Sequence, residues 1–241
     1  QLEVLKGPQS LYFGKSATAG VASIVTNDPG DEFEFEFSGG VETEHQGTFY
    51  ETVISGPITD TLGIRLAAGY THNDALIDNF QAGKDPAPLE GVAPSPQAGT
   101  SSSYGDESFN SRLTVVWEPT DTFTAKLKYS YSEYNNDGAG GAWAEEICAE
   151  GVQQPTTLFG DTLFFQGRDD CKLNGNTSKL NLNPALAIGL PHGFDKGIPF
   201  LDQETNFTSL RMDWDFHPEY TLTAVTGIVD LEHWELDDYS Y

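Results

Sequence analysis

Asp31-Glu-Phe-Glu-Phe-Glu-Phe37 alternates without a break between aromatic and acidic residues. A period of two is the signature of a strand, and it puts all three Phe on one face and the Glu on the other. The pattern recurs downstream. Leu62, Ile64, Leu66, Ala68 and Tyr70 alternate with Gly63, Arg65, Ala67, Gly69 and Thr71. Leu113, Val115 and Trp117 alternate with Arg112, Thr114 and Val116. Phe123, Ala125, Leu127, Tyr129 and Tyr131 alternate with Thr124, Lys126, Lys128, Ser130 and Ser132. Leu210, Met212, Trp214 and Phe216 alternate with Arg211, Asp213, Asp215 and His217. Thr48 to Ile58 and Tyr220 to Leu231 also read as strands, with apolar residues in both phases. A strand with lipid on one side and water on the other produces this alternation naturally.

Connections between these strands alternate in length. Gly56-Pro-Ile-Thr-Asp-Thr61, Glu118-Pro-Thr-Asp-Thr122 and His217-Pro-Glu-Tyr220 have the chemistry of tight reversals. Asn73 to Asp106 and Asn135 to Asp202 are long and rich in Gly, Pro, Ser, Asn and Asp, and Glu44 to Gly47 forms a short hairpin on the same side. Outer-membrane barrels have short periplasmic turns and long extracellular loops, so the alternation orients the chain. Trp117 and Phe216 then lie at the periplasmic border, and Tyr70, Tyr129 and Tyr131 near the outer one, as aromatic girdles require. The expected fold class is all-β: a transmembrane antiparallel β-barrel represented by about seven of roughly 22 strands, with the tail of an N-terminal plug domain.

Composition narrows the function. The 241 residues carry 37 Asp and Glu against 12 Lys and Arg, a formal net charge of −25. A nucleic-acid partner is not expected, since phosphate binding needs a basic face. No apolar run approaches the ~20 residues of a membrane helix, which leaves a barrel open. The start, Gln1-Leu-Glu-Val4, has no basic-then-apolar leader and reads as the middle of a longer protein.

Residues 1–30 form one expected unit and 31–241 another. Within the first, Gly7-Pro8 and Gly14 punctuate turns, and Val21 to Thr26 reads as a short strand. Gly14-Lys15-Ser16 is not a P-loop, because position 9, where that motif needs Gly, is Gln. The segment resembles the end of the plug domain of TonB-dependent outer-membrane receptors, a family that commonly carries V-E-V-L-(K/R)-G-P-x-(S/G)-x-L-Y-G-x-x-A-x-x-G-x-I-x-I-x-T just before its barrel. Glu3, Val4, Leu5, Lys6, Gly7, Pro8, Ser10, Tyr12, Gly14, Ala17, Gly20, Ile24 and Thr26 match; Phe13 is inserted, and Ala22 replaces the usual Ile. The resemblance implies a plugged barrel in the cell outer membrane that imports a scarce, bulky ligand. Ferric siderophores head the expected classes, followed by cobalamin, haem and oligosaccharides. It also implies partnership with TonB through a box upstream of Gln1, and contact with outer-membrane lipid and lipopolysaccharide. A passive porin-like barrel and, further off, a soluble secreted β-sandwich are the alternatives.

No enzyme is expected. His45, His72, His192 and His233 are scattered, and no Ser-His-Asp or His-Glu-x-x-His arrangement occurs. Asp213, Asp215 and His217 share a strand face, and read as a polar lumen row rather than metal ligands. No cofactor or metal is expected. Cys148 and Cys171 in one long loop suggest a disulfide, with free thiols or a partial metal site as alternatives and no His at zinc-like spacing. Ligand contact is expected around that staple, at Tyr104, Trp143, Glu145, Glu146, Phe164, Phe165, Asp169 and Asp170. Aromatic rings there could stack on a ligand. Within the plug motif the marked residues are Gly7, Pro8, Tyr12, Gly14, Ala17 and Gly20.

Overall fold

A computed structural model describes residues 2–9, 18–43, 46–74, 77–79, 102–103, 105–137, 151, 156–158, 162–164, 171–172, 174, 176–177 and 199–236. Their regular structure is entirely strand. In chain order these are β1 (Leu2–Lys6), β2 (Gly20–Ile24), β3 (Glu34–Val41), β4 (Thr48–Thr59), β5 (Leu62–Asn73), β6 (Ile77–Asn79) and β7 (Ser102–Ser103). Then follow β8 (Asp106–Thr120), β9 (Phe123–Asn136), β10 (Thr156–Leu158), β11 (Thr162–Phe164), β12 (Asn176–Thr177), β13 (Phe200–His217) and β14 (Tyr220–Leu236). No described helix is long and apolar enough to cross a membrane.

Seven strands make one antiparallel sheet in the order β14-β13-β9-β8-β5-β4-β3. Each strand pairs with its sequence neighbour in that sheet, as the short–long connections require. The seven are those expected from alternation, and the long ones run well past the expected ends: β8, β9, β13 and β14 have 15, 14, 18 and 17 residues. The sheet does not close, and β3 and β14 form its two open edges.

The register settles the facing of the two ambiguous strands. Glu34, Ser55, Arg65, Thr114, Lys128, Ser209 and Gly227 stand opposite one another across the sheet and so share a face. Phe35, Ile54, Leu66, Leu113, Tyr129, Thr208 and Ile228 form the adjacent row on the other face. That second face is apolar and open: Phe35 and Phe37 are 60% and 65% exposed, and Trp214 is 50% exposed. Among the described residues the only buried apolar side chain is Cys171. A β-sandwich would bury one face of this sheet against a second one. The described strands form no such second layer, because the remaining sheets have two or three short strands each. The outward apolar run Phe123–Tyr131 rises about 26 Å along its strand, or about 20 Å at a ~40° tilt, close to the apolar band of a barrel wall.

The short turns line one end. Glu118 N donates to Thr61 O (2.8 Å) and Asp215 N to Thr122 O (2.8 Å), which ties successive turns together. Aromatic rings cluster there: Trp117 meets Phe123 edge-on (6.2 Å, 80°), and Phe216 stacks on Tyr220 (6.2 Å, 15°). At the other end the long connections carry short strands that alternation did not signal. One of these, β12, pairs in parallel with β6, so the two long loops share a small sheet, β12-β6-β7.

β1 and β2 form a separate antiparallel pair. Gly7 sits at φ +85° and its N donates to Ala19 O (3.1 Å), which keeps the pair in register beyond its last ladder residues. Gly20 leaves no space for a side chain, since a Cβ there would lie 2.7 Å from Leu5 O. Both are motif glycines with a physical requirement for Gly.

Candidate functional site: the linker seam and the inner wall

Residues 25–33 connect the β1–β2 pair to the sheet, and they lie against one of its faces. Lys128 Nζ donates to Thr26 Oγ1 (3.0 Å) and pairs with Asp28 Oδ1 (3.2 Å), while Lys126 pairs with Asp28 Oδ2. The linker then crosses toward β3. Pro29 covers Gly63 of β5, where a Cβ would meet it at 3.1 Å. Glu32 and Phe33 cross Gly56 of β4, where a Cβ would lie 2.9 Å from Phe33 Cα. Gly56 has φ +150°, a conformation that other residues rarely adopt. The crossing explains why β3 begins at Glu34, although the Phe/Glu alternation starts earlier. Beneath the seam, Ser55 and Thr114 are buried, and Ser55 Oγ has no hydrogen-bond partner.

This covered face is the inner one, and the cations of the sheet gather on it among a comparable number of carboxylates. All the Lys and Arg of the seven strands lie on it: Arg65, Arg112, Lys126, Lys128 and Arg211. Register brings them into adjacent rows, because Thr114 opposes both Arg65 and Lys128, and Lys126 opposes Arg211. Four of the five have a carboxylate partner. Arg65 holds Glu34 at 2.6 Å, Lys126 and Lys128 share Asp28, and Arg211 forks onto Asp213 at 2.7 and 3.0 Å. Arg112 donates through Nε to Ser130 Oγ (2.9 Å) and, among the described residues, forms no ion pair. Partial burial pushes the Asp28 carboxyl up, but its hydrogen bonds and charge interactions with Lys126 and Lys128 outweigh this and hold it below the usual carboxylate range.

Two recesses open on the inner wall. One of about 300 Å³ lies between the linker and the wall, lined by Val25, Thr26, Asn27, Arg65, Arg112 and Thr114 among others. The other, about 420 Å³, lies farther toward the long loops, where Ala67, Gly69, Ser130 and Ser132 leave the wall thin. Arg112 lines both.

The residues expected from sequence fare differently. Gly7, Pro8 and Gly20 stand in and beside the β1–β2 pair. Tyr12, Gly14 and Ala17 lie outside the described residues, as do Tyr104, Trp143, Glu145, Glu146, Phe165, Asp169 and Asp170. Phe164 ends β11, which pairs with β10. Cys171 is buried and disulfide-bonded, whereas Cys148 lies outside the described residues. Asp213, Asp215 and His217 are engaged separately: Asp213 by Arg211 and Thr223, Asp215 by Thr221, and His217 by the Glu219 N–H. No described group of His, Cys, Asp and Glu is arranged to hold a metal ion. Sequence reasoning passed over the gathering of cations on this wall. Its signal was present, since every strand cation occupies a polar slot of its alternation, but convergence depends on register.

No family profile matches the sequence. Solved structures do match the fold. The chain aligns over 97% of its length with the ferric yersiniabactin uptake receptor FyuA from Yersinia pestis, at TM-score 0.61 and 15% identity. It aligns over 96% with the ferric-catecholate import receptor Fiu from E. coli K12 in its open form (TM-score 0.59, 15% identity). FpvAI, from its complex with pyocin S2, matches over 95% (TM-score 0.58, 13% identity). This chain has the fold of those receptors. It spans 28%, 28% and 24% of their respective lengths. The likeness is to the wall of their barrels, and the seven-stranded sheet is open at β3 and β14.

Proposed function

We propose that this chain is the plug tail and first seven strands of a TonB-dependent outer-membrane transporter that imports a ferric siderophore. The observation that carries the reading is the seam. The segment after the plug-like hairpin is ion-paired to the inner wall by Asp28, Lys126 and Lys128, as a plug seated inside its barrel requires. A passive porin-like barrel leaves that seated linker without a role. The open apolar face contacts outer-membrane lipid, and the strand ends near the long loops reach the lipopolysaccharide headgroups. TonB engages a box that, in this family, precedes the plug. The roles are binding and transport rather than catalysis, and residues 1–30 and 31–241 divide as plug tail and barrel. Ligand contact from the long loops involves Tyr104, Trp143, Glu145, Glu146, Phe164, Phe165, Asp169 and Asp170, around a Cys148–Cys171 staple that restricts their freedom before binding.

The test is uptake of radio-iron from a panel of ferric siderophores by cells carrying the full-length parent gene, with and without TonB. Uptake that disappears without TonB is expected. Uptake indifferent to TonB, or a large open-pore conductance of the purified protein in planar bilayers, would favour the passive barrel.

A further inference from the structure

The two long connections meet in one small sheet. The first joins β5 to β8 and carries β6 and β7; the second joins β9 to β13 and carries β10, β11 and β12. β6 pairs antiparallel with β7 of its own connection and parallel with β12 of the other. Asn176 stands opposite Asp78 and Thr177 opposite Asn79, 98 positions apart in each case. A two-residue parallel ladder is a weak contact, because it sets few hydrogen bonds against the closure entropy of a long chain. The chain just before β12 is held covalently. Cys171 is buried and disulfide-bonded, and Cys148 is the other cysteine of the sequence. Between Cys171 and β12 the chain is turned and hydrogen-bonded. Cys171 sits at φ +54°, in the left-handed region. Asn174 N donates to Lys172 O (3.0 Å), and Asn176 N donates to Asn174 Oδ1 (3.1 Å).

We propose that the Cys148–Cys171 disulfide is a tether that seats β12 on β6, so that the two long connections move as one body. Chain length sets the size of the effect. From Asn136, the end of β9, the open chain takes 40 residues to reach Asn176. Through the disulfide it takes 12 to Cys148 and 5 from Cys171, or 17. On the other side 24 residues separate Asn176 from Phe200 of β13, and the disulfide leaves them unchanged. The effective concentration of a tethered segment falls as about the −3/2 power of its chain length. Shortening one of the two arms therefore raises that of β12 at β6 about twofold. The turn at Lys172 and Asn174 adds orientation, since it leaves little slack between the disulfide and the ladder. The tether thus acts on residues 77–79, in a connection that contains no cysteine. Displacement of either connection is passed to the other through β6 and β12, whatever the connections bind.

The experiment uses the full-length parent protein, folded in detergent micelles, and follows amide hydrogen exchange of residues 77–79. In one arm the folded protein is reduced with a phosphine and both thiols are alkylated. In the other the disulfide is kept, and Thr177→Pro removes a backbone N–H and fixes φ within β12. Reduction acts after folding, so it separates the tether from any need for the disulfide during assembly. The expected result is exchange of residues 77–79 faster by about twofold or more in both arms, with β8, β9 and β13 amides unchanged. Unchanged exchange at 77–79 after reduction would overturn the proposal, whether or not Thr177→Pro raises it. Acceleration by reduction without acceleration by Thr177→Pro would also overturn it, because the tether would then act elsewhere than through β12. So would equal acceleration throughout β8, β9 and β13, which would make the disulfide a support of the wall and not of the loops.

Discussion

Lys128 reaches from the fourth residue beyond Thr124 on β9 to Asp28 in the linker, 3.2 Å away, and so joins residues a hundred positions apart in the chain. Lys126 takes the other carboxylate oxygen. One carboxylate of the linker is thus shared by two cations of the wall. Asp28→Asn should loosen the linker while leaving the sheet intact. The carboxylate and both lysines are partly solvated, so after screening the two pairs together contribute about 0.5–1 kcal/mol. Hydrogen exchange of residues 25–33 in the full-length protein should speed up by about two- to fivefold, with β8 and β9 amides unchanged. Unchanged linker exchange would show that the pair contributes nothing.

The pH dependence of this contact follows from its direction. Burial is the largest single influence on the Asp28 carboxyl and raises it, but the hydrogen bonds and charges of Lys126 and Lys128 together outweigh it and hold the group below its ordinary value of 3.8 in the folded chain. A depressed carboxylate stabilises the fold above its unfolded pKa and stops doing so as pH falls through the folded one. Linker exchange, corrected for the intrinsic rate, should therefore stay constant from pH 7 to pH 5 and rise only below about pH 4. A rise near pH 6 would assign the attachment to some other group.

Gly56 should not tolerate a side chain. A Cβ would lie 2.9 Å from Phe33 Cα and 3.2 Å from Glu32 O, both backbone atoms that a rotamer change cannot move. Gly56→Ala should cost about 1–3 kcal/mol through overpacking and strain. The readout is the yield of heat-modifiable barrel on refolding into vesicles, which should fall, while Gly69→Ala, whose Cβ would have only ordinary contacts beyond 3.8 Å, leaves it near native.

The two faces should respond oppositely to charge. Leu113→Arg on the apolar face should cost about 2–4 kcal/mol if it meets the bilayer interior. Thr71→Lys on the inner face, opposite Ser108 and Phe49, should change folding little. Urea titration of the vesicle-inserted protein distinguishes them, and equal costs would place both faces in the same solvent.

Cys171 is disulfide-bonded, and peptide mapping of the unreduced full-length protein should recover Cys148 linked to Cys171. Cys171→Ser should slow ligand capture at the loops without lowering barrel yield. A free thiol at either position in the native protein would sink the staple.

Much of the fold was legible along the chain because alternation is local. Phe35 and Phe37, or Leu127 and Tyr129, declare their face through their own neighbours. Pro in all three short turns, with Asp and Thr in two of them, then turns adjacent strands back to pair. The strand count, the meander order and the exposure of one apolar face followed from that. Even the linker's attachment had a local trace, since Asp28 is an acid just beyond an almost acid-free segment. The lateral relationships were not legible. That Arg65, Thr114 and Lys128 share a row, that Pro29 lies on Gly63, and that Arg112 borders two recesses each depend on register between strands tens of residues apart. A one-residue slip would send the same side chains to the opposite face. The sequence by itself determined a seven-stranded wall with one lipid-like face and a plug-like lead-in. Tertiary structure alone decided which face the linker covers and where the cations gather, because those are properties of strand pairing and not of any strand.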